Sequence, residues 1–281
     1  MRRVRTAPSR TEGAIRALSS IGKCQVGAMP NPLIAKLEHG ARLTDEDRQL
    51  LEKLTARRRH VGPYQDIIRE GDMPEDVRLI MDGFACRYQI LPDGKRHIMA
   101  YLVPGDICDF HVAILGEMDH NIGTLTSCSV VEISHETIHD ITTKHRNLNR
   151  AFWWGTLVDE GILREWLVSL GRRSAAQRVA HLFCELLIRL QTVGLADQNS
   201  FDMPLTQEEL ADTLGLSTVH VNRMMQELRE KGLITTASKR LTINDVERLQ
   251  DIAQFNPNFL HLGPRENKAN EDSRDVQPPA V

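Results

Sequence analysis

Much is missing from this chain of 281 residues, and each absence excludes something. No uninterrupted apolar run approaches the ~18 residues that a membrane-spanning helix needs, so a membrane partner is not expected. The cysteines Cys24, Cys86, Cys108, Cys128 and Cys184 are scattered and contain no Cys-x-x-Cys pair. With no signal peptide, this predicts a reducing cytoplasm rather than a disulfide framework. There is no excess of positive charge either. The formal net charge is -3, which excludes a packaging protein coated in Lys and Arg. Any nucleic-acid contact must then come from a local, salt-sensitive patch. No nucleophile with a matching base, Gly-rich phosphate loop or closed metal-ligand set is present, so an enzyme is not expected, and no catalytic residue, metal or cofactor is assigned. What remains is a globular composition, 41% hydrophobic and 26% charged, on a chain long enough for two domains.

The most informative stretch runs from Pro204 to Ile243. Thr206 followed by Glu209 is a capping box, so a helix should start at about Thr206. Leu210 and Leu214 repeat at helical spacing, and Gly215 permits the left-handed turn that stops the helix. Ser217 caps a second helix that runs to Lys231. Its buried stripe is Val221, Met224 or Met225, and Leu228, leaving Thr218, Val219, Asn222, Arg223 and Gln226 outward. Two short helices across such a turn make a helix-turn-helix, whose second helix enters a DNA major groove. In that geometry Arg223 addresses guanine O6 and N7, Asn222 adenine, and Val219 or Thr218 a thymine methyl. Leu233 to Thr236 and Arg240 to Ile243 predict two strands around Ala237-Ser238-Lys239. They form a wing whose Lys239 and Arg240 meet phosphates. The expected DNA-binding set is Thr206, Ser217, Thr218, Val219, His220, Asn222, Arg223, Lys239 and Arg240.

The remaining chain supports that unit. Residues 1–30 lack periodicity and read as a mobile tail with basic Arg2, Arg3 and Arg5. Short amphipathic helices follow around Leu33, Ile34 and Leu37, and from Thr44 to Leu54, while Arg57-Arg58-Arg59-His60 is a solvated charge run. From Gly62, glycines recur between short apolar alternations, including an Asp93-Gly94 hairpin turn, which predicts an antiparallel β-roll with one concave interior for a small molecule. From Asn147 to Leu170 a long helix is apolar on more than one face. One face can pack on the roll and the other on a second copy, and Leu148, Phe152, Ile162 and Trp166 are expected at that dimer interface. Such a dimer sets two recognition helices about 34 Å apart, one turn of DNA. Gly171-Arg172-Arg173-Ser174 is expected to break the long helix and act as the hinge. The fold is therefore α+β. Its expected parts are a sensor roll over 31–146, a dimerisation helix over 147–172, a winged helix-turn-helix over 173–256 and a disordered tail over 257–281.

The turns Glu70-Gly71-Asp72, Asp93-Gly94 and Pro104-Gly105-Asp106, the long helix, Arg178-Val179-Ala180 and Leu214-Gly215-Leu216-Ser217 together resemble the Crp/Fnr family of bacterial transcription regulators. The resemblance covers about Asn31 to Asn256. It implies a homodimer on a palindromic promoter site, contact with RNA polymerase, and an effector acting through the roll. The departures matter as much. Cyclic-nucleotide-binding members follow the Gly-Asp turn with Gly-Glu and then Arg-Ser. Counting from Gly105-Asp106, Asp109-Phe110 and His120-Asn121 stand there. A buried phosphate without a fixed cation is costly, so tight cAMP binding is not expected, and Phe110, His120 and Asn121 mark the effector pocket. Cys24 alone does not make the N-terminal iron-sulfur set of the oxygen sensors. Val219 replaces the family's frequent Glu, while Arg223 keeps its Arg. Cys108 with His111 lies where haem-binding members place ligands. Alternative readings are a cupin-like metal-binding roll using His111, His120, His135 and His139, or a ligand sensor that does not bind DNA.

Overall fold

The computed structural model describes residues 30–262. The expectations for Arg2, Arg3, Arg5 and Cys24, and for 263–281, fall outside the described residues. The first described helices are α1 (Pro32–Leu37) and α2 (Asp45–Leu54). Asn31 caps the first, and Thr44 with Asp47 forms a capping box on the second.

The roll is built from β1 (Arg59–Val61), β2 (Asp66–Ile68), β3 (Asp76–Asp82), β4 (Ala85–Ile90), β5 (Arg96–Leu102), β6 (Asn121–Thr124) and β7 (Cys128–Ser134). They form two antiparallel sheets, ordered β1-β7-β3 and β2-β6-β4-β5. Between the sheets lie Ile68, Ile80, Leu102, Cys108, Ile122 and Val130. The outer face of β3 and β7, carrying Val77, Leu79 and Val131, packs under Leu33, Leu37, Leu51, Ile138 and Leu148. Buried on both faces, these strands read as apolar runs instead of clean alternations. The Asp93-Gly94 turn joins β4 to β5 as expected, with Gly94 at φ +80°. A four-residue helix α3 (Val112–Leu115) separates β5 from β6, and α4 (His135–Lys144), capped by Ser134, follows β7.

Helix α5 (Arg146–Arg172) spans 27 residues. It ends at Arg172, inside the segment Gly171 to Ser174 where a break is expected. The change of direction is confined to Arg173, after which Ser174 and Gln177 form a capping box on α6 (Ala175–Thr192). The disordered tail does not begin at 257. A 3-10 turn (Pro257–Leu260) packs on α5, burying Leu260 to 1% exposure. Gly161 makes that packing possible, because a Cβ there would stand 2.9 Å from the Phe259 carbonyl oxygen.

The winged unit comprises β8 (Ser200–Asp202), α7 (Gln207–Leu214), α8 (Thr218–Glu230), β9 (Ile234–Ala237), β10 (Arg240–Ile243) and α9 (Val246–Ala253). Its three strands are ordered β8-β10-β9. Its core, with Val179, Phe183, Leu187, Leu210, Val221 and Leu228, continues into the outer face of β4 and β5 through Cys86, Ile98 and Tyr101. The two halves therefore share apolar packing as well as a covalent link.

Candidate nucleic-acid interface and the cavity of the roll

The helix pair forms for local reasons. The Thr206 hydroxyl accepts the Glu209 N–H at 3.2 Å while the Glu209 carboxylate accepts the Thr206 N–H at 2.6 Å. Gly215 then turns the chain at φ +62°. The Ser217 hydroxyl accepts the His220 N–H at 3.2 Å, starting α8. Val221, Met224, Met225 and Leu228 are all buried, so both methionines face inward. Helical periodicity then places Thr218, Val219, Asn222, Arg223 and Gln226 outside, and each is exposed. Val219 is 79% exposed, a large apolar side chain with no core to fill. Arg223 makes no ion pair or hydrogen bond among the described residues. His220 is half-buried beside it.

The wing turns at Ser238 and Lys239, both left-handed at φ +49° and +63°. Such a two-residue reversal matches the twist of a hairpin but is strained without glycine or asparagine. It presents Lys239 at the tip, exposed. Arg240 corrects the expectation made for it. Its guanidinium, part-exposed, lies along the small sheet, paired with Asp197, with Asp202 at 2.9 Å and with the Ser200 hydroxyl at 2.9 Å. Arg240 therefore ties β10 to β8 instead of facing a phosphate.

Three groups that the sequence reading did not single out as functional fix where the pair sits. The Arg178 guanidinium donates to the carbonyls of Leu214 at 2.9 Å, Leu170 at 2.9 Å and Arg173 at 3.1 Å. It thus serves the C-terminal ends of α5 and α7 together, where partial negative charge accumulates. Tyr101, fully buried, shares a 2.5 Å hydrogen bond with Thr213, and Arg96 pairs with Asp212 at 2.8 Å. Strand β5 of the roll thereby grips α7. Only long-range pairing makes these contacts, so no local motif signals them.

The expected dimer residues also need correction. Leu148, Phe152, Ile162 and Trp166 are at most 8% exposed within one chain, facing the roll and α6. The Trp166 indole donates to Glu185 at 2.7 Å. The opposite face carries Trp153, Leu157, Leu163, Leu167 and Val168, all exposed. At a helical advance of 100° per residue they fall within one face about 140° wide. Apolar content on two faces was legible; which face turns inward was set by tertiary packing.

Between the roll and α5 lies a cavity of about 440 Å³, lined among others by Arg87, Phe110, His111, His120, Phe152 and Asp159. Phe110 and His120 stand on it as expected, with Phe110 against Phe152 at a ring separation of 5.4 Å. Asn121 does not line it: its amide oxygen accepts the Glu70 N–H and its nitrogen donates to the Tyr88 carbonyl. The fixed cations on the wall already have partners. Arg87 donates to the carbonyls of Ile107 and Cys108 and pairs with Asp159 at 3.1 Å, while Lys36 pairs with Asp106 at 2.6 Å. Asp106 also accepts Arg189 at 2.7 Å and the Val103 N–H at 2.7 Å. The Gly105-Asp106 turn is therefore a clasp joining the roll, α1 and α6. Asp109 is buried beside Arg78, and desolvation raises its carboxyl to about 6.

Cys108 and His111 do not converge. Cys108 is fully buried between the sheets, where desolvation pushes its thiol well above the usual range, while His111 faces the cavity. His135 and His139 lie on α4 outside the roll. Of the four histidines considered for a cupin-like site, His111 and His120 alone meet, with ring centroids 5.6 Å apart.

Comparison with known proteins agrees with this architecture. A cyclic nucleotide-binding domain model matches residues 58–145, and a Crp-like helix-turn-helix domain model matches residues 177–252. The transcriptional activator protein FnrL of Cereibacter sphaeroides is 28% identical over 76% of this chain and 86% of its own length. The nitrogen fixation regulation protein FixK of Bradyrhizobium diazoefficiens is 24% identical over 70% of this chain and 82% of its own. The structure of FixK2 from Bradyrhizobium japonicum superposes with a TM-score of 0.63 at 21% identity, covering 70% of this chain and 96% of that one. The chain belongs to the Crp/Fnr family of transcription regulators, with a helix-turn-helix DNA-binding domain and a cyclic-nucleotide-binding-like sensory domain. Regulators of this family bind DNA and typically dimerise. Among the described residues no helix is long and apolar enough to cross a membrane.

Proposed function

We propose that this regulator works as a cytoplasmic homodimer on a palindromic promoter site, reading each half-site with the outward face of α8. The observation that carries the reading is Arg223, exposed and without an internal partner beside the exposed Val219, Thr218 and Asn222. A free guanidinium at the front of a presented helix can make two parallel bonds to a guanine edge. Ser217 and Thr206 hold the helix ends, and their hydroxyls lie close to where phosphates would run. Lys239 supplies a phosphate contact at the wing. Because Val219 stands where many relatives carry Glu, the preferred half-site differs from theirs at the corresponding base pair.

The dimer seam in this reading is the outer face of α5, with Trp153, Leu157, Leu163, Leu167 and Val168. Burying such a face against its two-fold copy removes an exposed apolar stripe from water. The domain division is the roll with its flanking helices, then α5, then the winged unit from Ser174, extended to include the 257–262 segment. An effector in the cavity between roll and α5 shifts the balance between two placements of the winged unit, through the Tyr101–Thr213 and Arg96–Asp212 contacts. RNA polymerase is the partner at the promoter. Cyclic AMP is not the effector, since Lys36 and Arg87 are engaged by carboxylates and no Arg stands at His120-Asn121.

The test is selection of bound fragments from genomic DNA, followed by gel shift with the wild-type chain and Arg223→Ala. Binding should be lost selectively on the cognate site. Unchanged affinity in the variant would refute the placement of α8. Sedimentation of Leu157→Asp/Leu167→Asp should show a monomer; a dimer as stable as wild type would refute the seam.

A further inference from the structure

We propose that the imidazoles of His111 and His120, with the Asp119 carboxylate behind His120, form a binding site for a divalent transition-metal ion at the mouth of the cavity between the roll and α5. One ligand atom from each residue lies within 4.8 Å of the other two. In a tetrahedral site with metal–nitrogen bonds of about 2.0–2.1 Å, ligand atoms stand roughly 3.3 Å apart. Small rotations bring the two imidazoles to that spacing, while Asp119 holds His120 from its other ring nitrogen.

His120 carries the argument. It is 8% exposed, and its Nε2 is buried with no hydrogen-bond partner. A buried imidazole nitrogen left unpaired costs free energy unless something else meets it. The other ring nitrogen is already oriented, since Nδ1 lies 2.6 Å from the Asp119 carboxylate. A carboxylate accepting from Nδ1 puts the proton there and leaves the lone pair on Nε2, the arrangement that metal-bound histidines use. The His111 ring lies 5.6 Å from that of His120 and makes no hydrogen bond among the described residues. Asp119 is itself exposed, so solvent and ions reach the cluster from outside.

The chemistry narrows the ligand. Imidazole ligands suit zinc, iron(II), cobalt or nickel, whereas calcium and magnesium prefer oxygen ligands. The cavity beyond the cluster, walled by Phe152 and Asp159 of α5, leaves room for water or a small ligand at the remaining coordination positions.

This inference rests on the effector-pocket reading, but its test needs no DNA. The purified full-length protein, stripped with chelator, is titrated with Co2+ and followed by its d–d absorption, then back-titrated with Zn2+. One Co2+ per chain is expected, displaced by Zn2+. His111→Ala removes a half-buried ring with no hydrogen bond to lose, so the fold should persist, checked by circular dichroism, while the band disappears. His120→Gln should do the same, and Asp119→Asn should weaken affinity about 10- to 100-fold. Arg223→Ala should bind Co2+ as wild type, so failure of the DNA reading leaves this result untouched. The proposal falls if no d–d band develops with wild-type protein, or if His111→Ala, still folded, titrates like wild type.

Discussion

The winged unit and the roll hold their cations in opposite ways. In the winged unit Arg223 and Lys239 are exposed, Arg223 with no partner among the described residues. In the roll and its flanking helices Lys36, Arg78 and Arg87 are each fixed by a carboxylate, and Asp106 of the roll is buried together with Arg189 of α6. The comparison teaches where to look for a recognition residue. A charge bound inside the fold stabilises geometry, because separating it from its partner would strand the other charge out of water. A charge presented without a partner is available to a ligand. Arg240 shows that position in a motif is insufficient, since it belongs to the wing and yet is already paired with Asp197 and Asp202.

The comparison breaks first at the buried clasp. Asp106→Ala leaves Lys36 and Arg189 without their shared carboxylate, and chemical denaturation should show a loss of about 3–5 kcal/mol. A loss below about 1 kcal/mol would mean that the roll's charges are as dispensable as surface pairs.

Acid is the next probe. His181, buried against Phe255 and Phe259, has its pKa lowered to about 4 by desolvation and by the Arg173 charge. Its folded pKa lies below the unfolded value, so the unfolded chain takes up the proton first. Its contribution is present above pH 6.5 and is lost as pH falls towards 4, to the extent of up to about 3 kcal/mol. A His181→Phe variant should show a flatter stability profile across that window in thermal melts. Asp109, raised to about 6, acts in the opposite sense: its burial favours the folded state below about pH 4 and the advantage is lost as pH rises through 6.

Arg223→Ala tests the other side of the contrast. Affinity for the cognate site should fall by roughly 1–3 kcal/mol with no change in the denaturation midpoint. A stability loss of similar size would place Arg223 among the bound cations instead. Tyr101→Phe sharpens the boundary between the halves: removing one buried hydroxyl from Thr213 should cost about 1 kcal/mol and loosen α7 on β5, read as faster amide exchange in α7. Smallest is Lys239→Ala, which should weaken binding uniformly across DNA sequences and reduce the salt slope by about 1.

Legibility followed the distance between partners along the chain. The capping box at Thr206–Glu209, the Gly215 turn and the Ser217 cap join residues three or so apart, and each was readable before any fold was known. The inner stripe of α8 was readable for the same reason, since helical spacing alone divides Val221 and Leu228 from Val219 and Arg223. Helix α5 marks the limit. Its apolar excess was visible, but Leu148 and Leu157 are equally apolar, and only the roll's position decides that the first is buried and the second exposed.

By itself the sequence determined the order of elements and the helix-turn-helix with its outward Arg223. These rest on local hydrogen bonds and periodicity, which operate within one or two turns of chain. Tertiary structure alone decided that Arg240 pairs with Asp197 and Asp202, that Tyr101 reaches Thr213, that Asp106 gathers Lys36 and Arg189, and that His111 meets His120 while Cys108 turns away. Each of those pairings is chosen by which surfaces the sheets and helices bury against one another, and burial is a property of the assembled fold.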